Sequence, residues 1–99
     1  MRLIFGTIAI TTAGTRQQVS NTKDRVMWIK FQGDPDNTQE VYFGTSGVSA
    51  TAEGYALKAN NEQPLDFGAY GREGSVEMSV FWVDADVNGE IIRYVAILR

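Results

Sequence analysis

The heptapeptide "DADVNGE", Asp84 to Glu90, sets three oxygen-bearing side chains (Asp84, Asp86 and Asn88) at alternate positions ahead of a glycine. Two chemistries share that pattern. Alternating oxygen donors before a glycine open the calcium loop of a helix–loop–helix site. Asn-Gly is also the favoured centre of a type I′ β-turn, because both central residues need positive φ. The calcium loop requires a bidentate Glu at its twelfth position and helices on either side. Counted from Asp84, that position is Val95, and the flanking residues are β-branched and aromatic. The hairpin is the better reading. A looser cation cluster of Asp84, Asp86 and Asn88 stays open as the weaker alternative.

A turn centred on Asn88-Gly89 dictates a register. Val87 faces Glu90, Asp86 faces Ile91, Asp84 faces Arg93, Trp82 faces Val95 and Val80 faces Ile97. On the opposite face Val83 meets Tyr94, Phe81 meets Ala96 and Ser79 meets Leu98. The Asp84–Arg93 pair would add only about 0.2–1 kcal/mol, yet it favours this register over its neighbours.

Little other chemistry is on offer. The chain has no cysteine and no histidine, so thiolate chemistry, the usual general base and the usual zinc ligands are missing. Serine and threonine have no triad partner, and Lys23, Lys30 and Lys58 sit in turns or polar strand positions. The carboxylates of Asp66, Glu73 and Glu77 have no context that sets them apart from solubilising charges. "GAYGREG", Gly68 to Gly74, lacks the Lys-Ser/Thr of a phosphate loop and reads as a loop with Tyr70 and Arg72 as contact residues. These residues argue against an enzyme, and no catalytic, cofactor or metal residue is assigned. Trp28, Tyr42, Tyr55, Tyr70, Trp82 and Tyr94 could stack sugars. Trp28 and Trp82 read as core, since strand aromatics bury large area; Tyr55 and Tyr70 stay open.

Net charge excludes one class of partner. The chain carries −3 with its basic residues scattered, whereas a nucleic-acid surface concentrates positive charge. No run reaches the ~18 apolar residues of a membrane span. "MRLIFGTIAITTAG" resembles a signal peptide only superficially: Gly6 and Thr7 interrupt it and it alternates. It reads as the first strand of a cytoplasmic protein.

The elements that must position these residues are strands. Apolar or alternating runs are separated by Gly, Asn, Asp and Pro, and helical periodicity is nearly absent. Strands are expected at Leu3–Thr11, Arg16–Ser20, Arg25–Gln32, Glu40–Gly44, Tyr55–Lys58, Pro64–Phe67, Val76–Val83 and Glu90–Leu98, with a brief extended stretch at Val48–Thr51. "GDPDNTQ", Gly33 to Gln39, is a turn cluster. The expectation is all-β: one domain over residues 1–99, a two-sheet antiparallel sandwich or jelly-roll-like barrel of about eight short strands. Residues 1–5 are available as an N-terminal arm.

The last two strands are apolar on both faces. Met78, Val80, Trp82, Val95 and Ile97 lie on one side; Phe81, Val83, Ile92, Tyr94, Ala96 and Leu98 lie on the other. A sandwich strand normally hides one face and wets the other. The second face is therefore covered by the chain's own loops or by another subunit.

"VYFG" (Val41 to Gly44), "GVSAT" (Gly47 to Thr51), "GYALKANN" (Gly54 to Asn61) and "VFWVDAD" (Val80 to Asp86) together resemble small β-sandwich virion proteins of tailed bacteriophages. The opening "GTIAITTAGTRQQVS" is similar to the start of such proteins. In one place the chain departs from their pattern: "KANNE" stands where they have a Pro-Gly turn. The resemblance implies a capsid decoration, or cement, protein: made in the host cytoplasm, bound to the major capsid protein on the outer capsid surface as a homotrimer, and reinforcing the shell. It implies no active site, cofactor, nucleic acid or membrane. Arg2, Leu3, Ile4 and Phe5, with Tyr70 and Arg72, are the expected contacts, because termini and loops can order on a partner. The alternatives are another virion part (head–tail joining, tail or fibre-associated) and a carbohydrate-binding module.

Overall fold

A computed structural model describes residues 2–49, 54–67 and 74–99. Tyr70, Arg72, Glu73 and the end of the Val48–Thr51 stretch lie outside the described residues. Among the described residues nine strands run in chain order: β1 (Arg2–Ala9), β2 (Gln17–Gln18), β3 (Arg25–Gly33), β4 (Val41–Gly44), β5 (Tyr55–Leu57), β6 (Glu62–Asp66), β7 (Val76–Glu77), β8 (Trp82–Ala85) and β9 (Ile91–Leu98). They form two antiparallel sheets. Sheet A has the order β1-β9-β3-β6, with β7 also on β3, and sheet B has the order β2-β8-β4-β5. The all-β two-sheet sandwich is thus the fold.

The core lies between the sheets. Ile29, Phe31, Ile92, Ala96 and Leu98 of sheet A meet Val41, Phe43, Leu57, Val83 and Ala85 of sheet B, all buried. Phe31 sits at the centre, stacked on Phe43 at 4.4 Å between ring centroids and edge-on to Phe81 at 5.6 Å.

β3 does not alternate strictly. Its register against β9 shifts between Val26 and Trp28, so Met27 is an extra residue. That bulge lets Val26 and Ile29, three apart, both reach the core, where strict alternation would send them to opposite faces. It also turns Trp28 outward. Trp28 and Trp82, expected in the core, are half-buried and lie outside the buried cluster.

The expected single strand Val76–Val83 is two strands. β7 belongs to sheet A and β8 to sheet B. A 3-10 turn over Met78–Val80 carries the chain across, burying Met78 and leaving Val80 exposed.

The expected β8–β9 hairpin does not form. β8 pairs with β2 and β4, and β9 pairs with β1 and β3. Of the two turn residues only Gly89 has positive φ, at 85°, so the turn is not type I′. Gly89 N donates to Ile10 O at 2.8 Å and Ile10 N donates to Glu90 O at 2.9 Å. The turn therefore delivers β9 to β1, in the other sheet.

The "GDPDNTQ" cluster fastens the start of β9. The Asn37 amide pairs with the Ile91 backbone in both directions, at 2.7 and 2.8 Å. The buried Glu90 carboxylate accepts from Gln39 N at 3.0 Å and Thr38 Oγ1 at 3.3 Å. Arg93 forms an ion pair with the buried Asp34, so its partner is Asp34 and not Asp84.

Candidate docking face

The outer face of sheet A follows from the register. Leu3, Ile97, Trp28 and Asp66 form one cross-strand row, and Phe5, Val95, Lys30 and Pro64 form the next. Thr7, Arg93, Gln32 and Glu62 form a third. The first two rows are mostly apolar. Leu3 is 56% and Phe5 75% exposed, while Val95, Ile97 and Trp28 are half-buried. A shallow groove of about 260 Å³ runs between Phe5, Lys30, Arg93 and Val95.

The charges around these rows are internally matched. Lys30 Nζ lies 3.2 Å from Glu62 Oε2 and Arg93 pairs with Asp34; Arg2, paired with Asp24 at 3.4 Å, belongs to the other face of β1. The face is thus apolar at its centre with a locally neutralised rim, the composition of a protein–protein contact.

The outer face of sheet B is different because the chain covers it. Asp84, only 1% exposed, accepts from Gly14 N at 2.9 Å, and Asn88 Oδ1 accepts from Ala13 N at 2.7 Å. The Arg16 guanidinium lies 5.9 Å from the Trp82 ring centre. Val48 is buried against Gly44 and Gly54. The two readings of the doubly apolar strands therefore divide between them. Loops cover the second face of β8, and no described residue covers that of β9.

The three oxygen-bearing side chains of the opening heptapeptide are each engaged in a hydrogen bond within the chain. Asp84 and Asn88 hold the 13–14 backbone, while Asp86 Oδ1 accepts from Tyr42 Oη at 2.9 Å. Asp84 Oδ2 is buried and unpaired among the described residues. No group of three acidic side chains among the described residues is placed to hold a metal ion. The Tyr42 phenol is pushed up to about 12, by burial first, then by its bond to Asp86 and the charges of Asp86, Glu40 and Asp84. Burial likewise raises Tyr94.

Of the expected contacts, Leu3 and Phe5 reach the open face. Ile4 turns inward and packs against the core. Arg2 to Phe5 are not a free arm: they are the first half of β1, paired with Val95 to Leu98. An edge strand forms there because β9 offers a matching partner, and burial alternates along it from Leu3 to Ala9. Gly6 allows the Tyr94 ring to lie across β1, where a Cβ would overlap it. Trp28 was not expected on this face. Nothing local marks Met27 as a bulge, so its neighbour's direction could not be read from "RVMWIKFQ".

A second cleft of about 270 Å³ opens between the sheets, lined by Phe43, Leu65, Phe67, Val76, Val80 and Phe81 among others. Among the described residues it lacks the convergent polar groups that orient a specific small ligand. The "KANNE" departure has a simple geometry. Asn61 N donates to Lys58 O at 3.0 Å and Asn60 has φ of 67°. Ala59-Asn60 therefore makes a turn with positive φ at its second central residue, which is the conformation a Pro-Gly pair favours.

No protein-family model matches the chain, and no curated protein matches it in sequence. Among solved structures, it is similar to part of IMPa from Pseudomonas aeruginosa, solved in complex with an O-glycopeptide. The TM-score is 0.52 at 8% identity, over 98% of this chain and 12% of that one. It is also similar to a chain from a structure described as Bacillus endospore appendages forming a family of disulfide-linked pili. There the TM-score is 0.46 at 14% identity, over 97% of this chain and 88% of that one. At 8% identity the likeness to IMPa is one of fold, and the chain spans about an eighth of IMPa's length.

Proposed function

We propose that the protein is a bacteriophage virion structural protein of the decoration type, which docks on the outer capsid surface through the outer face of sheet A and acts as an oligomer. The observation that carries this reading is the open apolar face. Leu3, Phe5, Val95, Ile97 and Trp28 lie together on one side of a sheet whose other side already packs the core. A monomeric sandwich wets that side. The resemblance to virion sandwich proteins supports the specific partner, and the Ala59-Asn60 turn supports the resemblance at the point where the sequence departs from it. Docking by several copies at once would multiply weak contacts.

Co-sedimentation of the purified protein with capsids of the phage that encodes it tests this. Leu3→Ser combined with Ile97→Thr removes two of the three apolar side chains of the first row and leaves Trp28. Each apolar side chain is worth up to ~1.5–3 kcal/mol when fully buried, so the pair should weaken capsid binding at least about tenfold. Wild-type protein that stays in the supernatant would remove the capsid from the account. Electron microscopy of the particle separates decoration from a head–tail or fibre position. A tryptophan fluorescence shift on adding polysaccharide would instead favour a carbohydrate module acting through Trp28.

A further inference from the structure

We infer that β1 is a strand-pairing edge that joins two copies of this chain antiparallel about a two-fold axis at Phe5, fusing two sheets A into one. The inference does not rest on the virion reading.

Edge strands carry unpaired backbone groups, and folded proteins protect them. Among the described strands, three of the four sheet edges are protected. β2 has two residues and β5 has three. β6 carries Pro64 at its centre, which cannot donate to another strand. β1 has none of these devices: it runs for eight residues, Arg2 to Ala9, without proline or a register shift, and pairs only with β9 among the described strands. The most exposed large apolar side chain of the described residues, Phe5 at 75%, stands at the middle of this same edge. Whatever covers it must bring both a strand and an apolar side chain.

A second β1 meets both needs. Centred on Phe5, antiparallel pairing sets Phe5 against Phe5 of the second copy, Leu3 against Thr7 and Ile4 against Gly6. Ile4 would then meet the Tyr94 ring that lies across Gly6. Charge allows it. Arg2 is the only charged residue of β1 and is already matched by Asp24. Antiparallel pairing sends the two Arg2 residues to opposite ends, about 20 Å apart at ~3.4 Å per residue, well beyond the ~8 Å screening length at physiological salt. Parallel pairing would place them side by side. The two-fold also makes the interface self-complementary, and it gives two copies at this contact where the resemblance implies three.

Charge reversal at the axis tests the register. Sedimentation velocity over a wide concentration range should show a dimer for the wild type. Phe5→Lys and Phe5→Glu each oppose like charges across the axis and should raise the dimer dissociation constant at least about tenfold. Mixing the two variants should restore a dimer containing one of each. Phe5→Cys gives an independent reading, because the chain has no other cysteine. Facing residues of an antiparallel pair have Cα atoms ~4.5–5.5 Å apart, within disulfide reach. Oxidation should give a covalent dimer, whereas Val87→Cys on the far turn should not. A wild-type monomer or trimer overturns the inference. So does unaltered dimerisation of both charged variants, or a mixture that fails to recover. Capsid binding is read separately, by co-sedimentation.

Discussion

Tyr42 shows how one residue records its surroundings. It lies on the outer face of sheet B, opposite Asp84 and bonded to Asp86. Burial and three carboxylates hold the phenol neutral and raise it from 10.0 to about 12. A group whose folded value is raised contributes stability that is fully present below its unfolded value and is lost as pH rises through the folded one. Tyr42 therefore stabilises the fold fully below pH 10 and loses that contribution as pH rises toward 12. Tyr94 is raised in the same direction. Urea denaturation at pH 8 and pH 11 should show a smaller fall for Tyr42→Phe than for wild type. Equal falls would mean that the fold does not raise the phenol.

At the scale of the element, β3 decides which side chains sheet A presents. Its extra residue is Met27, so removing Met27 restores plain alternation: Val26, Ile29 and Phe31 still face inward and Trp28 still faces out. Removing Lys30 instead sends one half of the strand's apolar set to the wrong face. Deleting Met27 should leave a cooperatively melting protein with a lowered Tm, and deleting Lys30 should abolish the transition, both read by circular dichroism. Two similar melts would show that the bulge does not set the facing. β1 carries a parallel lesson. Truncating residues 1–5 would strip β9 of half its partner, so substitutions at Leu3 and Ile97 are the cleaner probes of docking.

At the scale of the molecule, one aromatic centre holds the sheets together. Phe31 touches Phe43, Phe81 and Tyr94, and so ties both sheets and the turn between β7 and β8. Phe31→Ala should cost about 3–5 kcal/mol, a large share of the ~5–15 kcal/mol typical of a domain. The expected result is a folded but marginal protein, its urea midpoint lowered by that free energy divided by an m-value of about 1–3 kcal/mol/M. A loss under about 1 kcal/mol would mean the core closes over the gap.

By itself the sequence determined what is local. Alternation marked the strands, Gly, Asn and Asp marked the turns, and the run from Ile91 to Leu98 declared two apolar faces. Asn88-Gly89 is a turn, as read, though not the type I′ hairpin turn expected, and Leu3 and Phe5 are exposed. The tertiary structure alone decided the rest: that this turn leads into the other sheet, that β9 lies between β1 and β3, that Asp34 takes Arg93, and that loops cover the outer face of β8 while no described residue covers that of β9. The reason is physical. Facing and turning are set by neighbouring dihedrals, within a few residues. Strand pairing joins residues as distant as Arg2 and Leu98, and its choice rests on the burial of the whole core, to which no single stretch of sequence has access.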